Sequence, residues 1–282
     1  MRLSAIRAGM AVFAVLVLAC AAQAVPLDIV IVSQSSGGEA AYVSFLQGIY
    51  GSDVNVEVSS AYTTLDATKI AHLEAVDLII VTRGTGSGDY AGTGEAAQWN
   101  ALSTPLVLHN AYIARGPGGS SQRWGWLPAS TIDKTFANLI VEDSADELFT
   151  GLAVNNGDPV SLVNPAQTAS MVNTTDTGNG ALVASIDEAS GLPDVVRWDG
   201  DEVAFFGDGT NANSGVPGGP RLFFALPGTG TNPDTSNFLD FATADGELML
   251  KNALYSLAVP EPTTMGLLAV CGAALLRRRR RA

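Results

Sequence analysis

The first third of the chain alternates aliphatic strands with amphipathic helices, and this alternation limits the fold more than any other feature. Residues 27–32 (LDIVIV) form a nearly continuous aliphatic run, which is typical of a strand buried on both faces of a parallel sheet. Apolar residues at helical spacing follow over residues 39–50, and Gly51 ends that helix. The other predicted elements are strands at 54–58, 77–81 and 105–108 and helices at 65–73 and 95–102. Because such crossovers are right-handed, the pattern predicts an α/β fold with an open, doubly wound, mostly parallel sheet.

Shorter apolar segments separated by Asn, Asp, Gly and Pro follow in the second half of the chain. Residues 195–198 and 203–206 flank an Asp-Gly-Asp-Glu sequence and are predicted to form an added β-hairpin. A buried strand at 222–226 and a helix at 245–257 close the pattern. We expect these elements to extend the same sheet, so that residues 25–258 form a single α/β domain.

The N-terminus has the three parts of a secretory signal peptide. Arg2 and Arg7 precede an apolar stretch over residues 10–22, and a small-x-small site ends at Ala24. The stretch is shorter than the roughly 20 residues that a membrane span needs. We therefore expect signal peptidase to cleave after Ala24. An alternative is lipid attachment at Cys20, which ends a loose lipobox.

The C-terminus combines a Pro-Glu-Pro motif (Pro260, Glu261 and Pro262), an uncharged apolar segment at 263–276 and a basic end. The basic residues of that end are Arg277, Arg278, Arg279, Arg280 and Arg281. This order resembles the PEP-CTERM sorting signal of Gram-negative bacteria, which an exosortase recognises. The resemblance implies cleavage near the motif and release to the cell surface or extracellular matrix. An uncut C-terminal anchor is the alternative.

The physical properties of this tail favour a transient stay in the membrane. A helix of 14 residues spans about 21 Å, whereas the hydrocarbon core is roughly 30 Å thick. A short transmembrane segment of this kind is marginal unless the bilayer thins. The arginines are expected to stay on the cytoplasmic side of an inner-membrane intermediate, which places the body of the chain outside.

The composition of the body excludes several functions. Of the 15 basic residues seven lie at the two ends of the chain, so residues 25–262, the body with its Pro-Glu-Pro motif, contain eight basic and 28 acidic residues, a formal charge of −20. Such a body repels nucleic acid and anionic lipid, and neither is expected as a partner. Both cysteines, Cys20 and Cys271, lie in the signals. The mature body therefore has no disulfide, thiolate metal site or cysteine nucleophile.

The order of the elements over residues 27–110 and 222–257 resembles the flavodoxin-like, class I glutamine amidotransferase-like fold, with ThuA-like proteins as the nearest branch. In amidotransferases a catalytic cysteine follows a strand at a sharp elbow. Here His109 and Asn110 follow the strand at 105–108, so glutamine hydrolysis by a cysteine is excluded. The ThuA-like resemblance implies a histidine at this place, which makes His109 the candidate catalytic residue.

Polar side chains after neighbouring strands suggest a ligand site. Arg83 lies in a Gly-rich loop after the third strand, and Asn110, Tyr112 and Arg115 follow the fourth. Because ligands bind at the carboxyl edge of open α/β sheets, we expect these four residues to meet there. Arg83 could bind a carboxylate or a sugar hydroxyl. The loop glycines do not have the spacing of a dinucleotide fingerprint.

Two further sequence features suggest alternative hypotheses for a ligand, a sugar and calcium. Trp124 and Trp126 could stack on sugar rings, although two tryptophans are more often core or lid residues. The acidic turns at 199–202 and 207–211 could hold calcium through oxygen ligands, although turn chemistry explains both. No other metal or cofactor is expected.

The leading interpretation is an exported surface or matrix protein whose body is non-catalytic. The PEP-CTERM resemblance implies an association with extracellular polysaccharide, since exosortase systems accompany exopolysaccharide production. One alternative is a ThuA-like carbohydrate-active enzyme that uses His109. Another is a calcium-dependent adhesion module.

Overall fold

The computed structural model describes residues 26–34, 39–52, 54–90, 93–116, 123–200, 204–205, 215–228 and 235–258. The strands in these ranges are β1 (Asp28–Val32), β2 (Asn55–Ser59), β3 (Leu78–Val81), β4 (Leu106–Leu108), β5 (Thr131–Phe136), β6 (Asn138–Val141), β7 (Pro159–Ser161), β8 (Gln167–Val172), β9 (Ala181–Ile186), β10 (Pro193–Trp198) and β11 (Arg221–Phe224). The helices are α1 (Ala40–Tyr50), α2 (Ala67–Leu73), α3 (Thr93–Ala101), α4 (Ala111–Ala114), α5 (Thr235–Leu239) and α6 (Ala244–Ala258).

Nine of these strands form one mixed sheet in the order β2-β1-β3-β4-β11-β10-β9-β6-β7. The pairs from β2 to β11 are all parallel. The pairs from β11 to β7 are all antiparallel. The predicted α/β class with a parallel core is therefore confirmed, and an antiparallel half extends it.

The parallel strands are aliphatic because both of their faces are covered. Ile79 and Ile80 point to opposite faces of β3, and neither is exposed to solvent. The same burial extends through β4 and β11. Continuous burial of this kind explains why uninterrupted aliphatic runs predict these strands correctly.

The hairpin predicted from residues 195–198 and 203–206 is wrong. Residues 195–198 do lie in β10, but β10 pairs with β9 on one side and with β11 on the other. Ala204 and Phe205 are not in a strand, and Val203 and Phe206 lie outside the described residues. The acidic turn after β10 favoured a local partner, whereas both edges of β10 are already paired, with β9 and with β11. The hairpin that forms is β9–β10.

Strands β5 and β8 form a separate antiparallel ribbon that packs on α4. Their sequences, TIDKTF and QTASMV, mix polar and apolar side chains, in keeping with a ribbon that is only partly buried. The ribbon lies beside the end of β3, because Ser170 of β8 contacts Arg83. It therefore forms one wall of the carboxyl edge of the parallel strands.

The topological switch point of the sheet lies between β1 and β3. The chain passes from β1 to β2 on one side of β1 and then to β3 on its other side. Ser33, Thr82 and His109 directly follow β1, β3 and β4, so they lie along the same edge. Open α/β sheets bind ligands in the crevice at this edge.

Candidate functional site

His109 connects three elements of the fold. Its ring nitrogen Nδ1 lies 2.7 Å from the main-chain oxygen of Phe224, at the end of β11. Its other ring nitrogen, Nε2, lies 3.0 Å from the hydroxyl of Tyr42 on α1. Because a carbonyl oxygen can only accept, Nδ1 carries the proton, and Nε2 accepts from the hydroxyl of Tyr42. Both ring nitrogens are thus occupied by the protein.

The environment of His109 keeps its ring neutral. The side chain is 1% exposed. Burial disfavours the charged form and lowers the pKa of His109 from 6.5 to about 4, although the bond to Phe224 works in the opposite direction. The imidazole is therefore uncharged above pH 5 and donates its proton to a main-chain carbonyl.

Sequence reasoning missed the residues that surround Tyr42. Glu39 is buried at the start of α1 and accepts a hydrogen bond of 3.0 Å from Ser33, which follows β1. Burial and the nearby Glu39 carboxylate raise the pKa of Tyr42 well above its ordinary value, so its hydroxyl stays protonated. The sequence feature that could have identified Glu39 is its position as an acidic residue directly before an otherwise apolar helix.

Asn110 holds the loop after β3 in place. Its Oδ1 accepts from the main-chain nitrogen of Tyr112 at 3.0 Å and caps the short helix α4. Its Nδ2 donates to the main-chain oxygen of Thr85 at 2.6 Å and to that of Arg83 at 3.3 Å. The side chain is completely buried. Asn110 therefore positions Arg83 from within the protein.

Arg83 is buried rather than displayed in an open loop. Its Nη2 donates to the hydroxyl of Ser170 at 2.8 Å, and that hydroxyl donates to Oδ1 of Asp133 at 2.7 Å. Burial lowers the pKa of Arg83, while Tyr112 and Asp133 raise it. The ribbon β5–β8 thus supplies the counterion of Arg83 through a hydroxyl.

Tyr112 lies between two guanidinium groups. The central carbon of the Arg83 guanidinium lies 4.9 Å from the centroid of the Tyr112 ring, and that of Arg115 lies 5.5 Å from it. Both distances are within the range of a cation–π contact. Together with Asn110, the four residues named from the sequence therefore meet at one edge of the sheet.

A third arginine adjoins this group. Arg123 donates through Nε to the main-chain oxygen of Ser87 at 2.6 Å. The pKa of Arg115 is lowered first by burial and then by the charge of Arg123. We call Arg83, Tyr112, Arg115 and Arg123 the arginine cluster. Sequence analysis had not placed Arg123 in it.

Trp124 and Trp126 do not face solvent. Both are completely buried and pack in an aromatic cluster with Tyr90, Trp99 and Phe205. The suggestion that they stack on sugar rings is therefore wrong. The reason is that residues 124–127 are buried, and Trp126 donates to Oδ1 of Asn100 at 2.9 Å.

One acidic residue on β10 is buried. Asp194 is completely buried, and neither carboxylate oxygen has a hydrogen-bond partner among the described residues. Burial raises the pKa of Asp194 well above its ordinary value. The residue lies where the register between β9 and β10 shifts, at a β-bulge. Nothing in its local sequence, Leu-Pro-Asp-Val, distinguishes it from a turn aspartate.

The acidic turns considered for calcium are only partly described. Asp199 and Gly200 are described, whereas residues 201–203 and 207–211 are not. In the described ranges no three His, Cys, Asp or Glu side chains are grouped to hold a metal ion. Calcium binding therefore stays a prediction without a described ligand set.

A surface cavity lies at the opposite edge of the sheet. It has a volume of about 340 Å³ and lies between the end of β10, the start of β11 and the end of α6. Arg197 and Asp146 in its wall form an ion pair with an N–O distance of 2.7 Å. Because these charges satisfy each other, we place the candidate site at the arginine cluster.

The fold defines an α/β protein with an open mixed sheet, and the C-terminus carries a recognisable sorting motif. Residues 258–281 match the PEP-CTERM protein-sorting motif. The predicted sorting signal is therefore confirmed, and the motif implies recognition by an exosortase during export through the membrane to the cell surface. Residues 1–25 and 259–282 lie outside the described residues. Within the described residues, no helix is long and apolar enough to cross a membrane.

Two solved structures are similar to the chain. One is a ThuA-like protein from Parabacteroides merdae, with 12% sequence identity and a TM-score of 0.40, covering 84% of this chain and 94% of that one. The other is Agd3, a carbohydrate deacetylase, with 14% identity and a TM-score of 0.36, covering 71% of this chain and 29% of that one. These likenesses concern the fold only. No curated protein matches the sequence.

Proposed function

We propose that this chain is an exported cell-surface or extracellular-matrix protein whose body, residues 25–258, acts by binding and not by catalysis. The sorting motif at 258–281 supports export through an exosortase. The observation that carries the second part is the bonding of His109, whose two ring nitrogens are held by Tyr42 and by the oxygen of Phe224.

A catalytic histidine needs a pKa near the working pH and a nitrogen that can reach the substrate. His109 has a pKa of about 4 and is 1% exposed. It accepts a proton only under acid conditions, and a substrate would have to displace Tyr42 to reach Nε2. These properties support a structural role, in which His109 joins α1, β4 and β11.

The ThuA-like enzyme that uses His109 is the rival proposal, and the same bonds weigh against it. A calcium-dependent adhesion module is a third proposal, for which the described residues supply no ligand set. The carbohydrate association rests on the sorting motif, because exosortase systems accompany exopolysaccharide production. In this proposal the partners are signal peptidase, exosortase and extracellular polysaccharide.

The test compares the purified mature body with its His109→Gln variant. Both are incubated with p-nitrophenyl acetate and with a panel of p-nitrophenyl glycosides, from pH 5 to pH 9. We expect release of p-nitrophenol at the rate of buffer alone for both proteins. Turnover by the wild type that His109→Gln abolishes, while the variant stays folded by circular dichroism, would contradict the proposal.

A further inference from the structure

The arginine cluster concentrates positive charge in a strongly acidic protein. Residues 25–262 contain eight basic residues against 28 acidic ones. Three of the eight, Arg83, Arg115 and Arg123, belong to one cluster at the carboxyl edge of the sheet. Two of them contact the same ring, that of Tyr112. Such a grouping costs electrostatic energy unless an anion offsets it.

Arg115 is the member whose charge is least compensated. Its side chain is half-buried, and its Nε is buried without a hydrogen-bond partner in the described parts of the chain. The three ion pairs found there do not include it. The adjoining residues 117–122, PGGSSQ, contain no acid in their sequence. Arg123 adds a like charge, which lowers the pKa of Arg115.

The acid that compensates Arg83 is already engaged. Asp133 accepts from Ser170, and the same hydroxyl accepts from Arg83. This chain of bonds compensates Arg83 and fixes its position. The positive charge of Arg115 is therefore left for a group that does not belong to the described protein.

The geometry selects the chemical class of that group. A planar guanidinium presents its N–H groups in a fork that fits a carboxylate with two parallel hydrogen bonds. The cation–π contact with Tyr112 restricts the Arg115 guanidinium before a ligand arrives, which reduces the entropy lost on binding. A singly charged group is also repelled less than a phosphate by residues 25–262, whose formal charge is −20.

We propose that Arg115, oriented by Tyr112 and flanked by Arg83 and Arg123, binds a carboxylate group of an extracellular ligand. This inference rests on the proposed function, because it names the ligand class of a binding protein. A carboxylate can come from uronic acid residues of an acidic polysaccharide or from a small free organic acid. Contacts beyond the carboxylate would distinguish the two sources.

The test measures binding by isothermal titration calorimetry at 50 mM salt. The probes are tri-galacturonic acid, its methyl ester, sodium acetate and inorganic phosphate. We expect the acid to bind and the ester, which has the same sugar rings without the charge, to bind at least tenfold more weakly. Tighter binding of the trimer than of acetate identifies a sugar ligand, and equal binding identifies a small organic acid; both support a carboxylate site.

Two variants locate the site. Arg115→Gln is expected to weaken binding of the acid at least tenfold, and Arg115→Lys, which keeps the charge but loses the fork, to weaken it less. Lys251→Gln on α6 removes the same charge elsewhere and should bind as the wild type does. Thermal unfolding of Arg115→Gln should occur at no lower a temperature than that of the wild type, because the main-chain bonds remain and one of three like charges is removed.

Four results would overturn the inference. Three of them are no binding of any carboxylate probe, equal binding of acid and ester, and equal loss of affinity in Arg115→Gln and Lys251→Gln. The fourth is tighter binding of phosphate than of the carboxylates. None of these results bears on the proposed export or on the role of His109. The intact mass of the secreted protein tests export, and the p-nitrophenol assay tests His109.

Discussion

The hydroxyl of Tyr42 donates a hydrogen bond of 3.0 Å to Nε2 of His109 and so ties helix α1 to the end of β4. Both side chains are buried, at 0% and 1% exposure. Removing this hydrogen bond therefore measures how much the stability of the carboxyl edge of the sheet depends on His109.

Replacing Tyr42 with Phe should destabilise the protein by about 1–3 kcal/mol, because Nε2 of His109 is then a buried acceptor without a donor. The measurement is urea unfolding at pH 7. Tyr62→Phe is the control: its hydroxyl donates to the half-exposed Glu57, and water can replace the lost bond. Equal losses of stability in the two variants would show that the bond from Tyr42 to His109 contributes no more than a partly exposed hydrogen bond.

The stability of the protein should rise with pH through the range set by His109. Its folded pKa of about 4 lies below the ordinary value of 6.5, so the unfolded chain binds more protons between these values. The stabilisation is complete above pH 6.5 and is lost as the pH falls towards 4, by roughly 3 kcal/mol. His109→Gln removes this dependence.

The check is the free energy of unfolding at pH 4.5, 5.5 and 7 for both proteins. The difference between wild type and His109→Gln isolates the histidine, since all other titrating groups are shared. A difference that does not change with pH would mean that His109 is not a neutral buried ring.

Asp194 should have the opposite pH dependence. Burial raises its pKa in the folded state, so the folded protein retains a proton that the unfolded chain releases above about pH 4. Its contribution to stability therefore falls as the pH rises. Asp194→Asn should stabilise the protein relative to the wild type, and the gain should grow from pH 4 to pH 8.

Thermal unfolding across that pH range measures the effect. Asp187→Asn is the matched control, because Asp187 is exposed at the end of β9 and should change stability by less than about 0.5 kcal/mol. Loss of stability in Asp194→Asn at every pH would point to a partner for this carboxylate that the described residues do not contain.

Gly219 should tolerate no side chain. An added Cβ would lie 1.9 Å from the main-chain oxygen of Ser103, which cannot move without disturbing the start of β4. Gly219→Ala is expected to cost about 3 kcal/mol or more. Gly215→Ala, whose Cβ meets its nearest atom at 3.8 Å, should fold normally. Soluble yield and urea unfolding of the two variants test the close approach of Gly219 to the main-chain oxygen of Ser103.

The parallel half of the sheet could be predicted from the sequence, whereas its antiparallel half could not. β1, β3 and β4 are short aliphatic runs because burial on both faces leaves no place for polar residues. β10 has a similar sequence, but its neighbours β9 and β11 are set by tertiary packing and not by the adjacent turn.

The candidate site could likewise be predicted from the sequence only in part. Four site residues could be grouped from the sequence, because the carboxyl ends of neighbouring parallel strands share an edge. These are Arg83, Asn110, Tyr112 and Arg115. Ser170, which is 87 residues away from Arg83, could not be foreseen, because β8 belongs to a ribbon without a clear strand pattern. Burial of His109 and Asn110 was equally hidden, since it depends on α1 and on the turn after β3.

The most direct test of the central claim is the intact mass of the protein from culture medium and from membranes. We expect a secreted species that begins at Val25 and ends near Pro260, and we expect Glu261→Ala to hold the chain, with its arginine tail, in the membrane. A full-length tail found only in membranes, or a secreted species that retains Arg277 to Arg281, would contradict sorting and release through the PEP-CTERM motif.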